Sequence, residues 1–100
     1  MSDKLIIVVD AQIAALVPRF LSNRAADVGK IRAALASADF ETVRVAAHGM
    51  KGAGGAYGFA EISRLGAAME EEARRRDATA IAALAASLEA YLGRIEIMYE

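Results

Sequence analysis

A single histidine stands among residues that favour chemistry at an imidazole ring. His48 is the one histidine of the sequence, Arg44 precedes it by four positions, and Lys51 and Gly52 follow it by three and four. Residues spaced in this way lie on the same side of an α-helix. An imidazole exposed to water is largely uncharged near neutral pH and can act as a nucleophile. The pattern therefore predicts a nucleophilic ring flanked by two cations and by a position without a side chain.

The apolar residues of the same segment predict that this ring points to solvent. They recur at helical spacing and form one stripe, Phe40, Val43, Ala47 and Met50. At 100° per residue, His48 projects more than a quarter-turn from the centre of that stripe. Gly52 and Gly55 project from the same side, although glycine inside a helix costs roughly 0.5–1 kcal/mol relative to alanine. We expect the bare backbone to leave room for a partner that approaches the ring.

A phosphoryl group suits this arrangement better than the other ligands we considered. Its negative charge would be partly neutralised by Lys51 and Arg44. A metal ion is disfavoured because the sequence holds no cysteine and no second histidine. The glycines do not form a phosphate-binding loop, since no G-x-x-x-x-G-K-[ST] pattern occurs. The plainest alternative is a surface histidine without any role.

The composition narrows the class of protein and its partners. Hydrophobic residues make up 56% of the 100 positions and charged residues 25%, which fits one small domain with a solvated surface. A net charge of −1 and a sequence pI near 5.8 argue against nucleic acid as the main partner. The absence of cysteine favours a reducing compartment. The apolar run Leu5 to Val9 is too short for a membrane span, so we expect a cytoplasmic protein.

Capping residues and apolar periodicity predict four long helices with short connections. The first begins near Val17, with Pro18 tolerated in its first turn. Asp39 is a suitable N-cap for the second helix and Asp77 for the fourth, and the third starts near Phe59. Long helices joined by short loops form antiparallel neighbours. We therefore expect an all-α fold, an antiparallel four-helix bundle with His48 on the second long helix, in which residues 1–100 form a single domain.

Two parts of this prediction concern helix ends and chain ends. Four glycines, Gly52, Gly54, Gly55 and Gly58, are expected to mark the end of the second helix and a turn. Residues 1–9 have strand character or form a disordered extension. The segment Ile95 to Tyr99 alternates apolar and polar residues, so it either pairs with the first segment or completes the last helix.

A short motif on the predicted second helix resembles a known signature. His48-Gly49-Met50-Lys51-Gly52, followed by Gly55 and Gly58, resembles the H-x-x-K-G pattern of histidine phosphotransfer (HPt) domains. The resemblance extends from Asp10 to Leu92 and includes the segment Tyr57-Gly58-Phe59. In that family the motif lies on the second long helix of a four-helix bundle, which agrees with the architecture predicted above.

The resemblance implies a covalent phosphoryl carrier rather than an enzyme. His48 would accept the phosphoryl group, favoured at Nε2, Lys51 would stabilise it, and Gly52 would let the partner come close. A receiver domain with a phosphorylated aspartate would donate the group, and a second receiver would take it away. The partners would be receiver domains of response regulators or of a hybrid sensor kinase. The receiver would supply Mg²⁺, so this chain would hold no cofactor, metal or nucleotide.

The docking face is expected to be apolar with a basic rim, formed by Arg44, Val45, Gly49, Gly55 and Arg64. Glu70 or Glu71 is expected to bind the second ring nitrogen of the histidine.

Arg24 interrupts the apolar stripe of the first helix. Either its aliphatic stem extends along the surface to solvent, or it pairs with a glutamate of the third helix such as Glu72, and we expect a structural pair rather than a role in phosphotransfer. We expect a monomer. Two other functions stay open, a docking module for receivers or kinases without turnover and a structural bundle that dimerises through its apolar ends.

Overall fold

The structure, a computed structural model, describes residues 3–100, and four helices make up most of it. The elements in chain order are β1 (Leu5–Val9), a 3-10 segment (Ala11–Leu16), α1 (Val17–Ala36), α2 (Phe40–Ala56), α3 (Ala60–Arg74), α4 (Ala78–Arg94) and β2 (Ile95–Tyr99). Residues 1 and 2 of the predicted N-terminal extension lie outside the described residues.

The helices begin where the sequence places their signals. Pro18 lies in the first turn of α1, where its missing N–H removes no helical hydrogen bond. The Asp39 carboxylate accepts from the Thr42 amide, and the Asp77 carboxylate accepts from the Ala80 amide, each at 3.0 Å. These two caps confirm the predicted starts of α2 and α4.

The core lies between the four helices, with α2 and α3 in the closest contact. Val43, Ala47 and Met50 of the predicted stripe are fully buried there, whereas Phe40 is partly buried. The largest fully buried side chains of the core are Phe59, Ile31, Met50, Ile62, Leu65, Met69, Ile81 and Leu88. α1 packs against α2 and α4, and α3 also packs against α4. The predicted apolar faces are therefore the ones that form the core.

The glycine run covers the end of α2 and the turn that follows, as the sequence analysis expected. Gly52, Gly54 and Gly55 all lie inside α2, which continues to Ala56, and Gly58 alone forms the turn, with φ of 86°. A Cβ at Gly54 would lie 2.6 Å from the backbone nitrogen of Ser63. Gly54 is therefore inside the helix because α3 passes too close for a side chain.

The expectation of an all-α fold is incomplete, because the two chain ends form a small sheet. β1 and β2 pair in parallel, with Leu5 opposite Ile95 and Val9 opposite Tyr99. Of the two alternatives left open for residues 95–99, pairing is correct and continuation of the last helix is wrong. Val9 is buried against the helices, so this sheet is part of the packed structure.

Candidate functional site

His48 lies on the outer side of α2 and is held at one ring nitrogen. Its side chain is 65% exposed, and its Nδ1 lies 2.8 Å from Oε2 of Glu70 on α3. An ionised carboxylate can only accept hydrogen bonds, so Nδ1 carries the proton and donates it. In a neutral ring the lone pair is then on Nε2. Within the described part of the chain, no hydrogen bond to Nε2 is formed.

Glu70 is a buried carboxylate shared by three side chains. Only 3% of its side chain is exposed, and Oε1 lies 2.9 Å from Lys51 Nζ. Arg74, one turn further along α3, approaches Oε2 at 3.4 Å. The hydrogen bond from Lys51 lowers the pKa of Glu70 most, burial opposes the shift, and the bond from His48 adds to it. The carboxylate is therefore ionised near neutral pH and suited to accept from Nδ1.

The main chain of α2 is fixed to α3 at the level of this cluster. The Ser63 hydroxyl donates to the carbonyl of Lys51. A Cβ at Gly66 would lie 2.7 Å from the Lys51 nitrogen and 2.9 Å from the Ala47 oxygen. The two helix backbones thus meet beside Lys51, and this contact brings Glu70 within reach of both the lysine and the histidine.

The predicted partner-facing residues lie at the surface, but the two arginines already have partners. Arg44 Nε donates to Glu41 at 2.9 Å, and Arg64 is paired with Glu61 within α3. Val45 is 56% exposed. A Cβ added at Gly49 or Gly52 would meet nothing within 4 Å, whereas one at Gly55 would contact the Ser63 hydroxyl at 3.8 Å. Space beside the ring is therefore open at Gly49 and Gly52.

The sequence analysis left one choice open at this site and missed one residue. Of the two glutamates proposed to bind the ring, Glu70 does so, whereas Glu71 pairs with Arg74 and Arg75 at the surface. Arg74 was not predicted to belong to the cluster. Its position four residues after Glu70 is the spacing of a helical ion pair, and that signal was available in the sequence.

The predicted pairing of Arg24 with Glu72 is wrong. Arg24 Nε lies 2.9 Å from Oδ2 of Asp27, three residues further along α1, and its guanidinium stacks over the Phe20 ring at 5.1 Å. Glu72 pairs instead with Arg75. Burial raises the pKa of Asp27, and the charge of Arg24 opposes that shift. The ion pair has the i,i+3 spacing of a pair within one helix, although Nε of Arg24 is buried without a hydrogen bond among the described residues.

Neither a metal centre nor a membrane span is found in the structure. Among residues 3–100, no three or more histidine, cysteine, aspartate or glutamate side chains are grouped as a metal ion would require. Across the same residues, no helix combines the length and the apolar character needed to cross a bilayer.

The fold and the site define a small helical domain that presents one imidazole to the outside, held from within by a carboxylate. Residues 15–96 match the family model of the Hpt domain, and the chain therefore belongs to the Hpt domain family. Domains of this family are phosphocarrier modules of phosphorelays, act in histidine phosphotransfer and interact with receiver domains. Searches of curated proteins and of solved structures gave no match.

Proposed function

We propose that this chain acts as a single carrier domain that accepts a phosphoryl group on Nε2 of His48 from the aspartyl phosphate of a receiver domain and passes it to another receiver. The observation that carries the proposal is the hydrogen bond between His48 Nδ1 and Glu70, because it leaves Nε2 as the nucleophile on an exposed ring.

The transfer step is balanced without a proton leaving the ring. The Nε2 lone pair attacks phosphorus, the bond between phosphorus and the aspartyl oxygen breaks, and the aspartate leaves as a carboxylate. The ring then carries the phosphoryl group on Nε2, its original proton on Nδ1, and a positive charge. Glu70 stabilises that charge across the bond it already accepts. Transfer to the next receiver reverses these changes and returns a neutral ring.

Lys51 is the residue on this chain that we assign to the phosphoryl oxygens. Its ammonium group already lies in the cluster, 2.9 Å from Glu70, and on the same side of α2 as His48. A lysine in this position stabilises a transferring phosphoryl group by charge. The receiver supplies Mg²⁺ and most of the stabilisation of the transition state. In this proposal the chain holds no cofactor and no nucleotide, and it works in the cytoplasm.

The proposed docking face surrounds the ring on α2 and the neighbouring part of α3. Val45, Gly49 and Gly52 form its apolar and open part, with Gly55 at its edge. Arg44 and Arg64 form its basic rim. The contacts of Gly54 with Ser63 and of Lys51 with Gly66 support an antiparallel course of α2 and α3, as expected for the bundle.

The decisive experiment is phosphoryl transfer from a panel of radiolabelled receiver domains to the chain and to His48→Gln. We expect label that is acid-labile and base-stable on the wild type and no label on the variant. Phosphorus and nitrogen NMR of the labelled protein should place the group on Nε2. Equal labelling of His48→Gln, or no labelling from any receiver, would refute the carrier proposal. A receiver that binds without transferring label would instead support the docking-module alternative.

A further inference from the structure

The β1–β2 sheet is small, and its outer face is open and mostly apolar, with Glu96 as a charged member beside Ile6. Ile6 is 60% exposed, and Val8 and Met98 are each 54% exposed. The alternate residues pack against the helices, except that Tyr99 at the end of β2 is 43% exposed. Parallel sheets are otherwise found almost only with both faces covered, and two strands alone are marginally stable in water. The sheet therefore has the features of one that an additional strand would stabilise.

The free edge of β1 is defined by the hydrogen bonds to β2. The Glu100 amide donates to the Val9 carbonyl at 3.0 Å, and the Ala11 amide donates to the Glu100 carbonyl at 2.8 Å. Successive backbone groups of a strand point to opposite edges, so those of Ile6 and Val8 point away from β2. Within residues 3–100 the sheet has two strands, and this edge has no partner strand. Unpaired edges of this kind are templates for pairing with another chain.

We propose that this edge pairs with the same edge of a second copy of the chain. In an antiparallel arrangement centred on Ile7, Ile6 lies opposite Val8 of the second copy, and both have their backbone groups directed to the shared edge. The same register sets Lys4 opposite Asp10 of the second copy on the outer face. The strand reads as a cation, five apolar residues and an anion, so it is complementary in charge to its own reverse.

The free edge of β2 is less suitable for antiparallel pairing with a second copy. An antiparallel pair of β2 strands centred on Ile97 sets Glu96 opposite the apolar Met98 of the second copy. Beneath β1, in contrast, a groove of about 560 Å³ lies between Leu5 and Ile7 on one side and α4 with the start of α3 on the other. The inner face beside β1 is therefore not filled by the chain itself.

The test combines solution mass with single cysteines, for which the chain offers a clean background because it has none. We expect sedimentation equilibrium of the whole protein to show a dimer that dissociates on dilution. Ile7→Cys should form an intermolecular disulfide readily, since the two central residues of this register face each other across a non-hydrogen-bonded pair. Val8→Cys should not, because its opposite residue is Ile6.

A charge variant completes the test. Lys4→Glu places like charges opposite each other twice in the dimer and should raise its Kd about tenfold, while circular dichroism of the helices stays unchanged. A mass that stays monomeric at every concentration would overturn the proposal. Disulfides from Val8→Cys without any from Ile7→Cys would also overturn it, because they indicate packing through the outer faces. The result does not depend on phosphotransfer, which has its own test at His48.

Discussion

At His48 the ring is held on one side by a group whose charge depends on pH. The pKa of Glu70 lies below its ordinary value of 4.5, chiefly because Lys51 donates to it. A carboxylate with a lowered pKa in the folded state stabilises that state above its ordinary value, and the contribution is lost as the pH falls through the lowered value. Glu70→Gln lacks this contribution. We expect its free energy of unfolding to be lower than wild type above about pH 4.5 and to converge with it in acid.

Urea unfolding at a series of pH values measures this difference. Glu71→Gln is the matched control, because Glu71 is the adjacent residue of the same type and lies at the surface. A difference that stayed constant as the pH fell would show that the charge of Glu70 does not matter for stability. In the transfer assay, Glu70→Gln should slow labelling about tenfold or more, since it weakens the group that orients the ring.

Gly52 tests whether open space beside the ring matters for transfer. Glutamine at this position fits the chain itself, because a Cβ there meets nothing within 4 Å. It would stand where the receiver approaches, so we expect transfer to slow about tenfold or more. Gly29→Gln on α1 is the matched control, since its Cβ also meets nothing within 4 Å. Both variants should gain about 0.5 kcal/mol of stability from helix propensity, and equal transfer rates would contradict the role of Gly52.

Some features of the site can be predicted from the sequence of a single helix, whereas others depend on contacts between helices. The exposure of His48 follows from the helical period of its own segment, which needs no knowledge of neighbours. The choice between Glu70 and Glu71 required the register of α3 against α2, and a pattern within one helix does not contain it. The pair of Arg24 with Asp27, in contrast, has the i,i+3 spacing of an ion pair within α1, so its signal was present in the sequence.

At the scale of elements, the contact of α2 with α3 depends on glycines at the crossing. A Cβ at Gly66 would overlap backbone atoms of α2, which cannot move aside as a side chain can. We expect Gly66→Ala to lower the free energy of unfolding by about 1–3 kcal/mol. It should also slow phosphotransfer, because the helices must separate where Lys51 meets Glu70.

Thermal or urea unfolding with the transfer assay tests this prediction, and Gly93→Ala on α4 is the matched control. The Cβ at Gly93 meets nothing within 4 Å, so that variant should be as stable as wild type or slightly more stable. Similar unfolding free energies for the two variants would show that the crossing tolerates a methyl group.

The starts and ends of the helices differ in how well a local sequence pattern predicts them. Asp39 and Asp77 act within their own turns, so a local pattern was sufficient for the starts of α2 and α4. The glycine run marked the end of α2 and its turn, but its members differ in role, since Gly54 serves the crossing of α2 with α3. Gly58, with its positive φ, is the one member of the run that acts as the turn signal.

At the scale of the whole molecule, the sheet joins opposite ends of the chain. The sequence indicated strand character in both terminal segments, but neither segment contains information on the relative direction of the two strands. The parallel pairing is a consequence of where the helical bundle positions the two segments. Such a contact closes a loop around all four helices. Closing so long a loop costs conformational entropy. We therefore expect the sheet to form after the helical bundle has brought the two strands close together.

This order of events predicts how sheet variants change the folding rates. Ile97 is half-buried on β2 and packs against the core, so Ile97→Ala should cost about 1 kcal/mol. If the sheet forms after the transition state, the cost appears almost entirely as unfolding that is about fivefold faster, with folding unchanged. Leu65→Ala, buried between the helices, should slow folding as well. Stopped-flow chevron plots at low protein concentration measure both rates, and a slowed folding limb for Ile97→Ala would show that the ends meet before the bundle is complete.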